Sequence, residues 1–464
     1  MKASRPKKTS FDHRAFRWMA AGLVGLFLVR SWKTADPEVL PRFVVVAAVL
    51  GVVLLLAVVR TLRGKLVLDR SILRNAVALA WLAGVVVSAA SILVAVNRSE
   101  ALFASLRAGV FFVLFVVLVR LMLGNEGRVR AAAAALGPLA LVLGLVGAYQ
   151  LVRAVDTVGW IWRTTYLVKG LAGHRNFLVQ TLLVTLPFAA WSMVVHRGVK
   201  RLLMTGTVLL SGGLIAVLMV RSVWVAAIVA TAASALLGAA AARKRGASSA
   251  RGIRRHVAIA VGLLVTGAVI ALVLLGPSGR TALAQRLRTL AQPASGSAGG
   301  RLFLWRTTLH MVRDHPLLGV GGGNWRIVFP AYAGNRHMMR DIWKTPRRPH
   351  NDYLWILAEN GPAGLLAYLA MIATLLWWTA RTTLAARDVP SMLLGVALFF
   401  AETAYTVFSA FSFPRERVGL SVVVTLVFAM ATALHLGERP QAGKLGRRPL
   451  LALTAAALAV TVAA

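Results

Sequence analysis

The chain has 464 residues, of which 58% are hydrophobic and 15% charged; its formal net charge is +38 and it contains no cysteine. Soluble domains are roughly 45–50% apolar and about a quarter charged, so this composition excludes a soluble enzyme held by one or two anchors. The missing cysteines exclude disulfides, thiolate catalysis and cysteine-based zinc sites.

A membrane-spanning helix takes about 20 apolar residues. The long apolar stretches predict an all-α polytopic membrane protein of about twelve transmembrane helices, at roughly 18–31, 39–59, 75–96, 102–119, 131–152, 177–195, 202–220, 222–242, 256–276, 362–380, 391–411 and 418–436, with a candidate thirteenth at 449–464. The basic residues ahead of Trp18 look like the first region of a signal peptide. No small-residue cleavage site follows and further spans come at once, so the first helix is expected to be retained.

Lys and Arg collect in cytoplasmic loops. Here they gather in alternate short segments, as in Arg60, Arg63, Lys65, Arg70 and Arg74, or Arg243, Lys244, Arg245, Arg251, Arg254 and Arg255, whereas the segment 97–101 on the other side holds Arg98 alone. The pattern predicts a cytoplasmic N-terminus and makes much of the +38 a signature of topology and not of nucleic-acid binding.

Three regions follow: spans one to nine over 1–276, a loop over 277–361, and the last spans over 362–464. The loop carries twelve Lys or Arg against four acids, Asp314, Asp341, Asp352 and Glu359. So long a loop is usually functional. Residues 302–312 and 351–359 read as short amphipathic helices, 290–300 (LAQPASGSAGG) as a flexible lead-in, and 319–324 (GVGGGN) as a tight turn. A nucleotide-binding reading of those glycines fails for want of a strand–helix–strand context.

This topology puts His13, His196, His256 and His435 near the inner side and His174, His310, His315, His337 and His350 outside. His350 follows Pro349, which disfavours helix before it, and precedes Asn351 and Asp352, either of which can cap a helix. A neutral imidazole held there can take a proton from a hydroxyl near neutral pH, although a lone histidine is more often a surface or capping residue. Arg175 beside His174, Arg221 at a very short outer turn, and Arg301 at a helix start can grip phosphate oxygens through paired hydrogen bonds; the plainer readings are snorkelling to the interface and solvation. Glu402 is the one acid deep in a span, a functional candidate by position or a partner for a buried arginine such as Arg107. No His, Asp or Glu group has metal-ligand spacing, so no metal and no cofactor is expected.

The motif His350-Asn351, then nine residues, then Gly361-Pro362-Ala363-Gly364 resembles the signature of the bacterial O-antigen ligase and polymerase superfamily. Gly300-Arg301 with Trp305, the run Asp314-His315-Pro316-Leu317-Leu318-Gly319-Val320-Gly321, Gly173-His174-Arg175-Asn176 and Arg221-Ser222 resemble further stretches of it, so that the likeness covers about 170–436. The resemblance implies an inverting, metal-independent glycosyltransferase of the bacterial inner membrane. It would move a glycan from undecaprenyl diphosphate to an acceptor hydroxyl at the periplasmic face. It implies His350 as general base, Arg221 and Arg301 on the diphosphate, and Arg175, His174, Asn176, Asn351 and Trp305 in substrate binding. Ligation of O-antigen to lipid A–core is the leading reading; a polymerase or protein O-oligosaccharyltransferase with the same parts is the alternative. An anion or solute transporter is the remoter one, since such proteins carry polar residues through many spans. The expected partners are the lipid-linked donor, the glycan acceptor and membrane lipids, with no nucleic acid.

Overall fold

The computed structural model describes residues 12–34, 36–159, 162–245, 296–334, 346–438 and 443–464, with isolated positions between 262 and 284. The helices are α1 (His13–Leu28), α2 (Val39–Leu62), α3 (Ala76–Ala90), α4 (Arg98–Met122), α5 (Glu126–Val158), α6 (Arg175–Val195), α7 (Gly198–Val217), α8 (Arg221–Lys244), α9 (Gly296–Asp314), α10 (Trp325–Ala333), α11 (Asp352–Ala385), α12 (Val389–Ser409), α13 (Val418–Gly437) and α14 (Arg447–Ala463). The β structure among the described residues is one isolated bridge, Asp69 to Lys444.

Short polar side chains set where many of these helices begin. Asp12, Asn75, Asn97, Asn125, Asn351 and Asp388 each stand at a helix entrance and accept a hydrogen bond from a backbone N–H of the first turn, satisfying donors that have no intrahelical partner. Among the described residues ten helices are long and apolar enough to cross a membrane, and the chain is a polytopic membrane protein. The first expected span corresponds to the 16-residue α1 and the terminal stretch to the 17-residue α14, helices that fall short of the ten. The ninth expected span, 256–276, lies outside the described residues.

α6 and α13 form the middle of the bundle and are its most completely buried spans. Around them α5 presents Ala131–Ala135, all buried, and these small side chains let α1, α6 and α7 pack closely against it. Phe115, Phe188, Phe408 and Phe428 fill the wider spaces.

The loop region has a core of its own. Leu304 and Met311 of α9, Val320, Trp325 and Phe329 of α10, and Ala358 of α11 form one buried cluster; Trp325 stacks on Phe329 at 4.4 Å and donates to the Thr308 hydroxyl at 3.0 Å. The expected helix at 302–312 therefore exists but begins earlier: 296–300, read from sequence as flexible, form the first turns of α9. The expected helix at 351–359 continues through a sharp kink at Gly361 into a span.

Candidate functional site

His350 sits where the loop region meets the ends of the spans. Its backbone is left-handed, with φ of 57°, a conformation that a residue with a Cβ holds at a cost of about 1–2 kcal/mol. The surroundings impose it. Upstream, Trp305 of α9 donates its indole N–H to the Pro349 carbonyl at 3.0 Å. Arg348 grips Glu416 with two bonds, Nε to Oε2 at 2.8 Å and Nη2 to Oε1 at 2.6 Å. Downstream, Asn351 Oδ1 accepts from the N–H groups of Tyr353 and Leu354 at 3.0 and 3.1 Å, and buried Asp352 accepts from the Arg415 N–H at 3.3 Å. The imidazole itself meets the edge of Phe413, with ring centroids 4.8 Å apart at 75°.

The turn after His350 is built by two glycines. Gly319 and Gly361 both have positive φ, and a Cβ on either would run into backbone: on Gly361 into the Leu317 carbonyl, on Gly319 into that of Ala358. With glycine at both, the 317–321 strip lies flat on the end of the short helix, where Val320 and Gly321 donate to the Ala358 and Glu359 carbonyls at 2.8 and 3.1 Å. Glu359 answers by accepting from the Trp325 N–H at 3.0 Å, and Asn324 and Asn97 exchange bonds at 2.7 and 3.0 Å. The glycine-rich stretch and the motif that follows His350 are two halves of one clasp.

His174 closes the site from another direction. It caps α6, its Nδ1 accepting from the Asn176 N–H at 3.1 Å, which puts the proton of the neutral ring on Nε2. Its ring lies 5.9 Å from Phe177, and Phe177 packs on Phe413 at 5.3 Å, so an aromatic bridge joins the two histidines. Burial, and then the nearby Arg301 and His174, pull the His350 pKa down to about 4, against a smaller upward pull from Glu416. His174 falls to about 4 for the same leading reason, followed by Arg175, Arg417 and Lys169. Both rings are neutral at pH 7.

Of the arginines singled out from sequence, Arg301 therefore lies close enough to act on His350. Arg175 is buried: its guanidinium lies 3.4 Å over the Tyr166 ring, donates to the Thr165 hydroxyl, and reaches the Leu218 carbonyl at 3.5 Å. Leu218 is three residues before Arg221, the first residue of α8, so Arg175 braces the turn from which Arg221 starts. Asn351 Oδ1 and the Trp305 indole N–H are spent on the chain itself, as a helix cap and as the tie to Pro349. His337 lies outside the described residues, and His310 and His315 are exposed on the loop.

Sequence reading missed the segment 411–417. It supplies Phe411 near Trp305, Phe413 against His350, Glu416 for Arg348, and Arg417, which pairs with Asp36 at 2.9 Å and lies over Phe177 at 4.5 Å. The signal was present in Phe411-Ser412-Phe413-Pro414-Arg415-Glu416-Arg417, too dense in aromatic and charged groups for a mere connection. Arg107 belongs here as well: it donates to the Arg415 and Glu416 carbonyls at 2.8 and 2.5 Å and is not the partner of Glu402, whose carboxylate accepts from the Thr379 hydroxyl at 3.0 Å.

The chain is a helical membrane bundle in which His350, His174 and Arg301 come together where the loop region meets the ends of the spans. Residues 206–369 match the Wzy_C family model, described as O-antigen ligase, so this part of the chain is similar to the O-antigen ligase superfamily. The match contains Arg221, Arg301, Trp305, His350 and Asn351 and ends before 411–417. The chain has no match among curated proteins.

Proposed function

We propose that the chain transfers a glycan from undecaprenyl diphosphate to an acceptor sugar hydroxyl at the periplasmic face of the bacterial inner membrane, with lipid A–core as the acceptor. The distribution of Lys and Arg supports this orientation, since Arg60 in the last turn of α2 and Arg243 and Lys244 in the last turn of α8 stand at helix ends, whereas His350 stands at the start of α11. The observation that carries the reading is the neutral His350 imidazole, held in a left-handed conformation beside Arg301.

The acceptor hydroxyl attacks the anomeric carbon from the face opposite the diphosphate, so configuration inverts. His350 accepts the hydroxyl proton as the new C–O bond forms. The bond from the anomeric carbon to the phosphate oxygen breaks, and its electron pair leaves on undecaprenyl diphosphate. Arg301 and Arg221 stabilise the charge that grows there, while Arg175, from behind, holds the turn carrying Arg221. His174, with its proton on Nε2, is a neutral donor to a phosphate or sugar oxygen. Asn176 fixes that tautomer, and Asn351 and Trp305 hold the base in place. In this mechanism guanidinium charge takes the part that a divalent ion has in other phosphosugar transfers.

The test is transfer by the purified full-length chain from a synthetic undecaprenyl-diphosphate glycan to lipid A–core, with and without a chelator. Turnover should survive the chelator and fall by about a thousandfold or more in His350→Ala, the upper part of what a positioned general base contributes. A need for added divalent metal would sink the arginine mechanism. Transfer to a second lipid-linked glycan in preference to lipid A–core would make the protein a polymerase.

A further inference from the structure

Three of the contacts that hold His350 come from the 411–417 segment, and one of them is an ion pair in a half-dry place. The Arg348 and Glu416 side chains are 17% and 14% exposed. The Arg348 guanidinium is held on a second side by the Trp355 ring, 4.9 Å away, so it has little freedom to find another anion. Glu416 in turn is fixed from behind, because Arg107 holds its carbonyl and that of Arg415 and Ser421 donates to the latter at 3.1 Å. A rigid carboxylate thus grips the residue two places before a histidine whose backbone is strained. Strained residues persist only where their neighbours over-determine them.

We propose that Glu416 is a positioning residue for His350: through its two-bond grip on Arg348 it keeps the 348–350 segment in the conformation that sets the imidazole against Phe413. It touches no substrate; it holds the backbone through Arg348 and bears on the ring's proton affinity through its own charge. This inference rests on the reading of His350 as the general base. Paired hydrogen bonds fix direction as well as distance, so replacing one oxygen by an amide nitrogen, which cannot accept, releases one arm of the fork and lets Arg348 turn.

The experiment compares the full-length parent chain with Glu416→Gln, Arg348→Lys and the exchanged pair Arg348→Glu with Glu416→Arg, using the undecaprenyl-diphosphate glycan as donor and lipid A–core as acceptor. We expect Glu416→Gln to lower kcat by about ten- to a hundredfold with the donor KM changed less than threefold. Arg348→Lys should fall in the same direction by less, and the exchanged pair should recover part of the loss. The acid limb of kcat/KM gives a readout that loosened packing alone would not move. The titratable and charged groups around the imidazole are Arg301 from α9, His174 ahead of α6, Arg415, Glu416 and Arg417 from the 411–417 segment, and Arg348 and Asp352 on its own segment. Among these Glu416 raises its proton affinity, so Glu416→Gln moves the limb to lower pH. Parent-like kcat with an unmoved limb in Glu416→Gln, while His350→Ala is inactive, overturns this inference alone. Parent-like transfer by His350→Ala overturns the functional reading beneath it. Where Glu416→Gln fails to accumulate as folded protein, Arg348→Lys decides by the same kcat and KM criterion.

Discussion

A histidine with an ordinary pKa of about 6.5 would be partly protonated at neutral pH and lose base strength as acid is added. Burial and the positive charge of Arg301 bring His350 to about 4, so the unprotonated base is almost the whole population at pH 7. The sign follows directly. Activity that needs the neutral ring is present above about pH 4 and lost as pH falls through it, so the acid limb of kcat/KM belongs near 4 and not near 6.5. Bound diphosphate adds negative charge beside the ring and favours imidazolium, so the limb of kcat, which reports the bound state, lies at higher pH than that of kcat/KM. Arg301→Gln removes a group that holds the pKa down, and the limb of its residual kcat/KM should move upward. Measured limbs that coincide near 6.5 in parent and variant would separate Arg301 from His350.

At the scale of the element, the short helix that begins at Asp352 owes its place to what stops it. Gly361 combines a φ of 65° with a ψ of −173°, a region open in practice to glycine alone, and the Leu317 carbonyl fills the space where a Cβ would stand. Gly361→Ala must therefore distort both halves of the clasp, at a cost on the order of 3 kcal/mol. Its effect should be a lower melting temperature in detergent and loss of transfer. Gly22→Ala in α1, where a Cβ would meet nothing within 4 Å, should leave both within error of the parent. Equal melting of Gly361→Ala and parent would mean that the strip at 317–321 does not brace the helix. The same elements explain what the sequence could disclose. The Asn351 cap and the kink at 361 are local, carried by neighbouring residues, and were readable. The packing of Gly319 on Ala358 joins residues about forty apart, and no local pattern announces it. For the same reason the glycine run resembled a phosphate loop that the fold does not contain. Phe413 and Glu416 escaped because their partners, His350 and Arg348, precede them by more than sixty residues.

For the whole molecule, the apolar runs made the bundle legible, since a span is a property of about 20 consecutive residues. The gathering of α6, α8, α11 and α13 starts into one rim was legible only as a consequence of alternating topology. The site depends on that alternation being right, because a donor with its diphosphate in the outer leaflet can reach Arg301 only from one side. The lack of cysteine makes orientation measurable without background. Arg347→Cys, exposed on the His350 rim, should react in intact spheroplasts with a thiol reagent that does not cross membranes. Arg63→Cys, exposed at the far end of α2, should react only after permeabilisation. The opposite result would put His350 in the cytoplasm, where the energy of transfer could come from nucleotide sugars and no lipid-linked donor would be needed. Labelling at Arg347 from outside keeps the requirement of the proposed reaction that the transferred bond arrive already activated, and that requirement is what makes a diphosphate leaving group, and hence guanidinium groups beside a neutral base, the chemistry proposed for this rim.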